Sequence, residues 1–136
     1  MVFEESVIMS SPFEEAVGEV KASFAAKGFG TLTEIDVQAT LRAKVGKEMP
    51  RYVILGTCNP ALASRALDAE PQIGVLLPCN VVVRETKDGV LVEAMDPGVM
   101  ATLAGAEDLA EDLKAVADEA RGLVGDALSD LSRAAA

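Results

Sequence analysis

Two cysteines are the residues of this chain whose type and spacing point most directly to chemistry. Cys58 and Cys79 are the only cysteines, and each is followed by an asparagine, Asn59 and Asn80. Cys58 directly precedes a predicted helix, whose free amides and dipole would favour a thiolate. The pair therefore predicts a reactive or ligand-binding thiol site. The alternative is two buried cysteines that act as small apolar side chains, which is common for free cysteine.

A basic segment indicates a second kind of site. Its charged side chains are Arg42, Lys44, Lys47 and Arg51, against the single acid Glu48. A cation such as Lys44 or Arg51, together with the amides of residues 61–63, could hold a phosphate or carboxylate group. The sequence thus predicts a small anionic ligand near the cysteines. The alternative is a solvated face of a short helix, because scattered surface charge is common.

An acidic cluster opens the predicted carboxyl-terminal helix. Its members are Glu107, Asp108, Glu111 and Asp112. These side chains could bind calcium or magnesium weakly, but the spacing of a calcium-binding loop is absent and a solvated face is favoured. We predict no metal and no cofactor from this pattern, and no residues are predicted to be catalytic.

Composition excludes several classes of function. The chain has 136 residues, 12 Lys+Arg against 22 Asp+Glu, a net charge of −10 and no histidine. The acidic charge disfavours nucleic acid as a partner, because phosphate contacts require a basic surface. Without histidine, Ser-His catalysis and His-ligated metal sites are excluded. The absence of a secretory signal and of an 18-residue apolar run predicts a cytoplasmic protein that makes no membrane contact.

The elements that position these residues are predicted from apolar spacing. The clearest is a helix over 12–27, with an apolar stripe every three or four residues, Ser11 as its cap and Gly28 after its end. Strands are predicted at 3–9, 31–36, 51–57, 80–86 and 90–95. Short helices are predicted at 37–45 and 60–69, and a long amphipathic helix at 107–133.

This order predicts a single α+β domain over residues 1–136. Its architecture is a two-layer sandwich, β-α-β-β-β-β-α, with an antiparallel sheet and two long helices on one face. The short helices lie in two of the strand connections. If strands 51–57 and 80–86 are antiparallel neighbours, Cys58 and Cys79 come to the same edge of the sheet.

Several stretches of the chain resemble a known family. They are residues 28–30 (GFG), 32–37 (LTEIDV), 52–60 (YVILGTCNP), 73–81 (IGVLLPCNV) and 96–97 (DP). In order and spacing they resemble the domain of unknown function numbered 302. The resemblance implies a fold of the TATA-binding-protein-like class that often packs as a homodimer. It implies no activity, because the family is uncharacterised, and fold alone does not assign function.

Three classes of function remain. The first is a small-ligand-binding module at the edge formed by Cys58, Asn59, Cys79 and Asn80. The second is a thiol redox protein, or a carrier of sulfur or metal, at the same edge. The third is a structural or interaction protein whose main feature is its dimer surface. We expect a homodimer in each case, because two long helices can cover only one face of a five-stranded sheet.

Overall fold

The fold is a five-stranded sheet with helices packed on one of its faces. The computed structural model describes residues 2–103 and 110–135. In chain order the elements are β1 (Val7–Met9), α1 (Phe13–Ala25), β2 (Gly30–Asp36), α2 (Val37–Val45), β3 (Tyr52–Cys58), α3 (Pro60–Ala69), a 3-10 helix (Pro71–Leu76), β4 (Cys79–Thr86), β5 (Gly89–Ala94), α4 (Val99–Leu103) and α5 (Ala110–Ala135). The predicted α+β sandwich is confirmed.

The sheet is antiparallel throughout, with strand order β1-β5-β4-β3-β2. Strands β2 to β5 follow one another in sequence and in space, as consecutive strands usually do. The first strand joins the far edge, where Val7 pairs with Val92. On β2, Leu32 forms a bulge between Thr31 and Thr33. The sheet therefore has a short edge strand at one side and a bulged one at the other.

The core lies between the sheet and the two long helices. The predicted stripe of α1 is confirmed, since Phe13, Val17, Val20 and Phe24 are all buried. In α5, Leu113, Val116, Ala120 and Ala127 face the same core. Residues 107–109 of the predicted long helix, with Glu107 and Asp108 of the acidic cluster, lie outside the described residues.

The short helices differ from each other in how they pack. In α3, Leu62 and Ala66 are buried and the helix packs against α5, so α3 belongs to the helical layer rather than to the opposite face. Leu67 of the same helix, whose spacing from Leu62 and Ala66 also predicts an inward-facing side chain, is exposed. Helix α2 lies against β3 and buries none of its side chains; Val45 is 71% exposed.

Helix starts are set by local hydrogen bonds that the sequence partly predicts. Asp36 and Asn59 cap α2 and α3, accepting from the amides of Ala39 and Leu62. The predicted cap at Ser11 is wrong. Helix α1 starts one residue later, with Pro12 at the cap position, and the Ser11 hydroxyl donates to Glu19 instead.

Two predicted strand boundaries also change. The strand predicted at 3–9 is a strand only over Val7–Met9, although Phe3 is buried and its amide bonds to the Ala94 carbonyl. The hairpin between β4 and β5 is tighter than predicted. Thr86 pairs directly with Gly89, whose φ is 132°, so two residues form its loop.

The face of the sheet that carries no long helix is largely apolar. Register and alternation place Ile8, Leu91, Val82, Ile54 and Ile35 on it. Ile8 and Ile35 are 46% and 47% exposed. The ion pair between Arg84 and Glu93 crosses the same face, with 2.9 Å between Nε and Oε1. We call this surface the open face.

Candidate functional site

Strand register brings the two cysteines to one end of the sheet. Thr57 pairs with Cys79 across β3 and β4, so Cys58, the last residue of β3, lies next to the first residue of β4. These two strands are antiparallel neighbours, which is the condition under which the sequence places both cysteines at one edge. Both strands reach this end with apolar side chains toward the helices, because Leu55 and Val81 are buried there. The two thiols therefore lie at the boundary between the core and the first turn of α3.

A small, partly open cavity lies between this end of the sheet and helices α3, α4 and α5. Its volume is about 20 Å³, which is enough for one water molecule or a single ion. The lining residues are Phe29, Thr57, Cys58, Asn59, Leu62, Ala63, Ala66, Leu77, Cys79, Met100, Val116 and Ala120. Three of these twelve residues carry a sulfur atom, namely Cys58, Cys79 and Met100, and none has a charged side chain.

Asn59 and Gly28 fix the entrance to α3 beside the cavity. The Asn59 side-chain oxygen accepts from the Leu62 amide at 3.3 Å. A β-carbon built on Gly28 would lie 2.8 Å from Nδ2 of Asn59, and Gly28 has a φ of 87°. Only glycine tolerates both conditions. The sequence predicted Gly28 as a helix-terminating residue; its contact with Asn59 depends on tertiary structure.

The two thiols differ in exposure and in chemistry. Cys79 is 8% exposed, whereas Cys58 is half-buried. Burial, and secondarily the nearby Cys58 thiolate, raise the pKa of Cys79 to about 11. A thiol with such a pKa stays protonated at neutral pH and is a poor nucleophile. Cys58 is thus the more accessible of the two, and Cys79 forms the inner wall.

Two hydroxyl groups lie beside the cysteines. Thr57 is buried, and its Oγ1 donates to the Cys79 carbonyl at 2.8 Å, which holds the start of β4 against β3. Thr31 pairs with Thr57 across β2 and β3. The Thr31 hydroxyl is buried and has no hydrogen-bond partner among the described residues.

The other predicted site residues lie away from the cavity. Asn80 is exposed and belongs, by alternation along β4, to the open face. Lys44 is exposed in the last turn of α2. Arg51 precedes β3, at the end opposite Cys58; its guanidinium pairs with Glu14 and lies 4.4 Å from the centre of the Phe13 ring. The structure therefore brings Cys58, Asn59 and Cys79 together, but not with Lys44, Arg51 or Asn80.

Met100 is the residue at the cavity that sequence reasoning missed. It lies in α4, is 3% exposed and lines the cavity with both cysteines. No local pattern connects it to residues 58 and 79, because only the packing of α4 on α5 brings it there. The one available signal was the Asp96-Pro97-Gly98 turn, which predicts a new segment but not its destination.

Comparison with known proteins places this architecture in a family. The sequence pattern of the domain of unknown function DUF302 matches residues 5–130. The chain belongs to the DUF302 family. Its fold is similar to the crystal structure of an uncharacterized conserved DUF302 protein from Bacillus stearothermophilus, at 25% identity and a TM-score of 0.81. That alignment covers 93% of this chain and 96% of the other. No curated protein matches the chain.

Membership in DUF302 supports the resemblance found in the sequence and brings no assigned activity. Within residues 2–103 and 110–135, no three His, Cys, Asp or Glu side chains group around a metal position. In the same ranges no helix is long and apolar enough to cross a membrane. The feature that remains as a candidate site is the small cavity whose lining residues include Cys58 and Cys79.

Proposed function

We propose that this DUF302 protein is a small binding module that holds a single soft ion between Cys58 and Cys79. The observation that carries the proposal is that the only two cysteines of the chain, from different strands, are both lining residues of one small cavity. At about 20 Å³ the cavity is far below the several hundred Å³ typical of sites for organic ligands. Its size therefore favours an ion over the small organic molecule that a general binding module would take.

The chemistry of the lining supports a soft ion. Thiolate sulfur prefers soft metal ions, whereas calcium and magnesium require several oxygen ligands. The raised pKa of Cys79 argues against Cys79 as the attacking thiol of a redox catalyst, because attacking thiols need a lowered pKa. Metal binding can still remove that proton, since a bound cation stabilises the thiolate. A reducing compartment such as the cytoplasm keeps both thiols free for this role.

Native mass spectrometry with Cd²⁺ as the probe ion tests the proposal. The reduced protein should gain one Cd²⁺ per chain, and Cys58→Ser and Cys79→Ser should each abolish this gain. Ser10→Ala, at an exposed position outside the cavity, is the control and should bind as the wild type does. A wild-type protein that gains no ion, or serine variants that gain it unchanged, would contradict the proposal. Loss of two hydrogens on mild oxidation, without ion binding, would favour the redox alternative.

A second candidate function is supported by the open face. Its apolar side chains include Ile8 and Ile35, each nearly half exposed, together with the half-buried Ile54 and Val82. Such a surface on a chain of net charge −10 favours specific burial against a partner over nonspecific association. We propose a homodimer through this face. The dimer is compatible with the cavity function, because the cavity lies on the helical side of the sheet.

A further inference from the structure

We propose that α2 is an exchanged arm of the homodimer, whose apolar side packs on the open face of a second copy of this chain. The inference rests on the homodimer proposed above and deepens it by naming the element that each copy contributes to its partner. It does not depend on the cavity beside Cys58 and Cys79.

Helix α2 has well-defined ends but little support from its own chain. The Asp36 side chain caps its first turn. Gly46, with a φ of 67°, follows its last residue and donates its amide to the Arg42 carbonyl. None of the nine residues of α2 is buried, and a helix of this length is marginal in water unless one face packs on another surface. The helix therefore implies a covering surface that the chain itself does not supply.

The side of α2 that such a surface would cover is apolar. Val37, Leu41 and Val45 recur every fourth residue and so lie along one side of the helix. Val37 and Leu41 are half-buried, whereas Val45 is 71% exposed. An amphipathic helix with an exposed apolar stripe is a common form in which a helix docks on the apolar surface of a partner.

The chain's own α2 is too small to cover its own open face. The helix follows directly after β2, an edge strand, whereas Ile8 lies on β1 at the opposite edge. Four strand spacings of about 4.8 Å, roughly 19 Å in all, separate these edges. A nine-residue helix is about 14 Å long and, with its side chains, about 10 Å wide. Each copy therefore retains both an uncovered helix stripe and an uncovered sheet face, where Ile8 and Ile35 are 46% and 47% exposed.

A second copy of the chain satisfies both of these surfaces at once. In a twofold dimer every patch that contacts the partner is contacted in return, so two arms and two open faces are buried together. The bulge at Leu32 disfavours the other simple arrangement, in which the β2 edges of two copies pair directly. Packing of each arm on the partner's open face therefore leaves neither apolar surface uncovered.

Charge also favours a second copy as the occupant. Residues 37–51 contain Arg42, Lys44, Lys47 and Arg51 against Glu48, a net charge of +3, so the other residues of this chain of net charge −10 sum to −13. Arg42 already pairs with Glu48 at 3.6 Å, but Lys44 and Lys47 have no ion-pair partner within residues 2–103 and 110–135. Lys44 directly precedes Val45 of the apolar stripe. The arm is thus a basic segment that is attracted to the acidic body of another copy.

The test is sedimentation equilibrium of two matched pairs of variants. Val45→Lys should raise the dissociation constant of the dimer at least about tenfold, because a charge would replace an apolar contact. Its control, Val75→Lys, makes the same exchange where Val75 is 88% exposed on the 3-10 helix, and should leave the constant unchanged. Lys44→Glu should weaken the dimer more than Lys114→Glu, which makes the same charge change at an exposed position of α5. Circular dichroism checks that each variant stays folded.

Hydrogen exchange of the wild type provides a measurement that needs no variant. In the dimer, the amides of α2 should exchange at least about tenfold more slowly than in protein diluted to monomer, because the partner holds the helix closed. The amides of α3, which packs on α5 within its own chain, should exchange equally at both concentrations. Equal exchange of the α2 amides at both concentrations would overturn the inference.

The outcomes separate this inference from the proposed homodimer. A wild type that sediments as a monomer at about 50 μM overturns both. If the wild type is a dimer that Ile35→Lys dissociates, while Val45→Lys and Lys44→Glu behave like their controls, only the role of α2 fails. If Val45→Lys and Lys44→Glu weaken the dimer and their controls do not, the exchanged arm is supported.

Discussion

The two threonines that pair across β2 and β3 differ in whether their hydroxyl groups have a partner. Thr57 donates to the Cys79 carbonyl, whereas the buried Thr31 hydroxyl has no partner within the described residues. Thr57→Val should therefore lower the free energy of unfolding by about 1 to 2 kcal/mol, and Thr31→Val should leave it unchanged or raise it by up to about 1 kcal/mol. Urea denaturation of the two variants measures the difference. Equal losses would show that the two hydroxyls are equivalent.

The buried Cys79 thiol should make the free energy of unfolding fall at alkaline pH. Because folding raises its pKa from an ordinary 9.0 to about 11, the unfolded chain loses this proton at a lower pH than the folded chain. The stabilisation is complete below about pH 9 and is lost as the pH rises toward 11, about 2 to 3 kcal/mol in all. Urea denaturation at pH 8 and pH 10.5 measures this loss. Cys79→Ala should lose less stability over that range, and an identical loss in both proteins would contradict the assignment.

At the scale of elements, α2 and α3 share the same kind of cap but differ in what they bury. Asn59 caps a helix that packs on α5, whereas Asp36 caps a helix that buries none of its side chains. Asn59→Ala should lower the global free energy of unfolding by about 1 kcal/mol. Asp36→Ala should mainly speed hydrogen exchange within α2, because such a helix can open locally.

The control for the cap is Asn59→Asp, which keeps an acceptor oxygen at the start of α3 and places a negative charge favourably near its amides. This variant should retain most of the stability that Asn59→Ala loses. A loss as large as that of Asn59→Ala would show that the contact of Asn59 with Gly28, rather than the cap, is what stabilises this segment.

The elements were predictable where the pattern was local. Four apolar residues at helical spacing determine α1. The pairing of β3 with β4, which brings Cys58 near Cys79, entered the sequence analysis only as a condition. The 3-10 helix at Pro71–Leu76 has no such period and was not predicted. Ser11 is not the cap because α1 starts one residue later than predicted, with Pro12 at the cap position.

The candidate site was predictable only in part, because half of it depends on packing. Arg51 precedes β3 and Cys58 ends it. The full length of this extended strand therefore separates the predicted cation from the cysteines. Met100 reaches the cavity through the packing of α4 on α5, which no spacing in the sequence specifies. Sequence reasoning thus found Cys58, Asn59 and Cys79 but not Met100.

At the scale of the whole molecule, we predict that the open face makes the protein a homodimer. Sedimentation at about 50 μM, well above the dissociation constant of a typical stable dimer, should show a dimer. Ile35→Lys should shift it to monomer, because a lysine would be desolvated in the interface. Val75→Lys is the matched control, since Val75 is 88% exposed on the 3-10 helix and lies outside the sheet. A wild-type monomer, or equal effects of both substitutions, would contradict the prediction.

The position of β1 at the far edge of the sheet has a consequence for the timing of folding. Strands β2 to β5 can pair with the neighbour that precedes them, but Val7 must wait for Val92. At a synthesis rate of about 5 to 20 residues per second, that wait is on the order of 10 s. Closing so long a loop is also the slowest kind of pairing. Of these five strands, the one synthesised first is therefore the last to pair, and until then its apolar residues are available to chaperones.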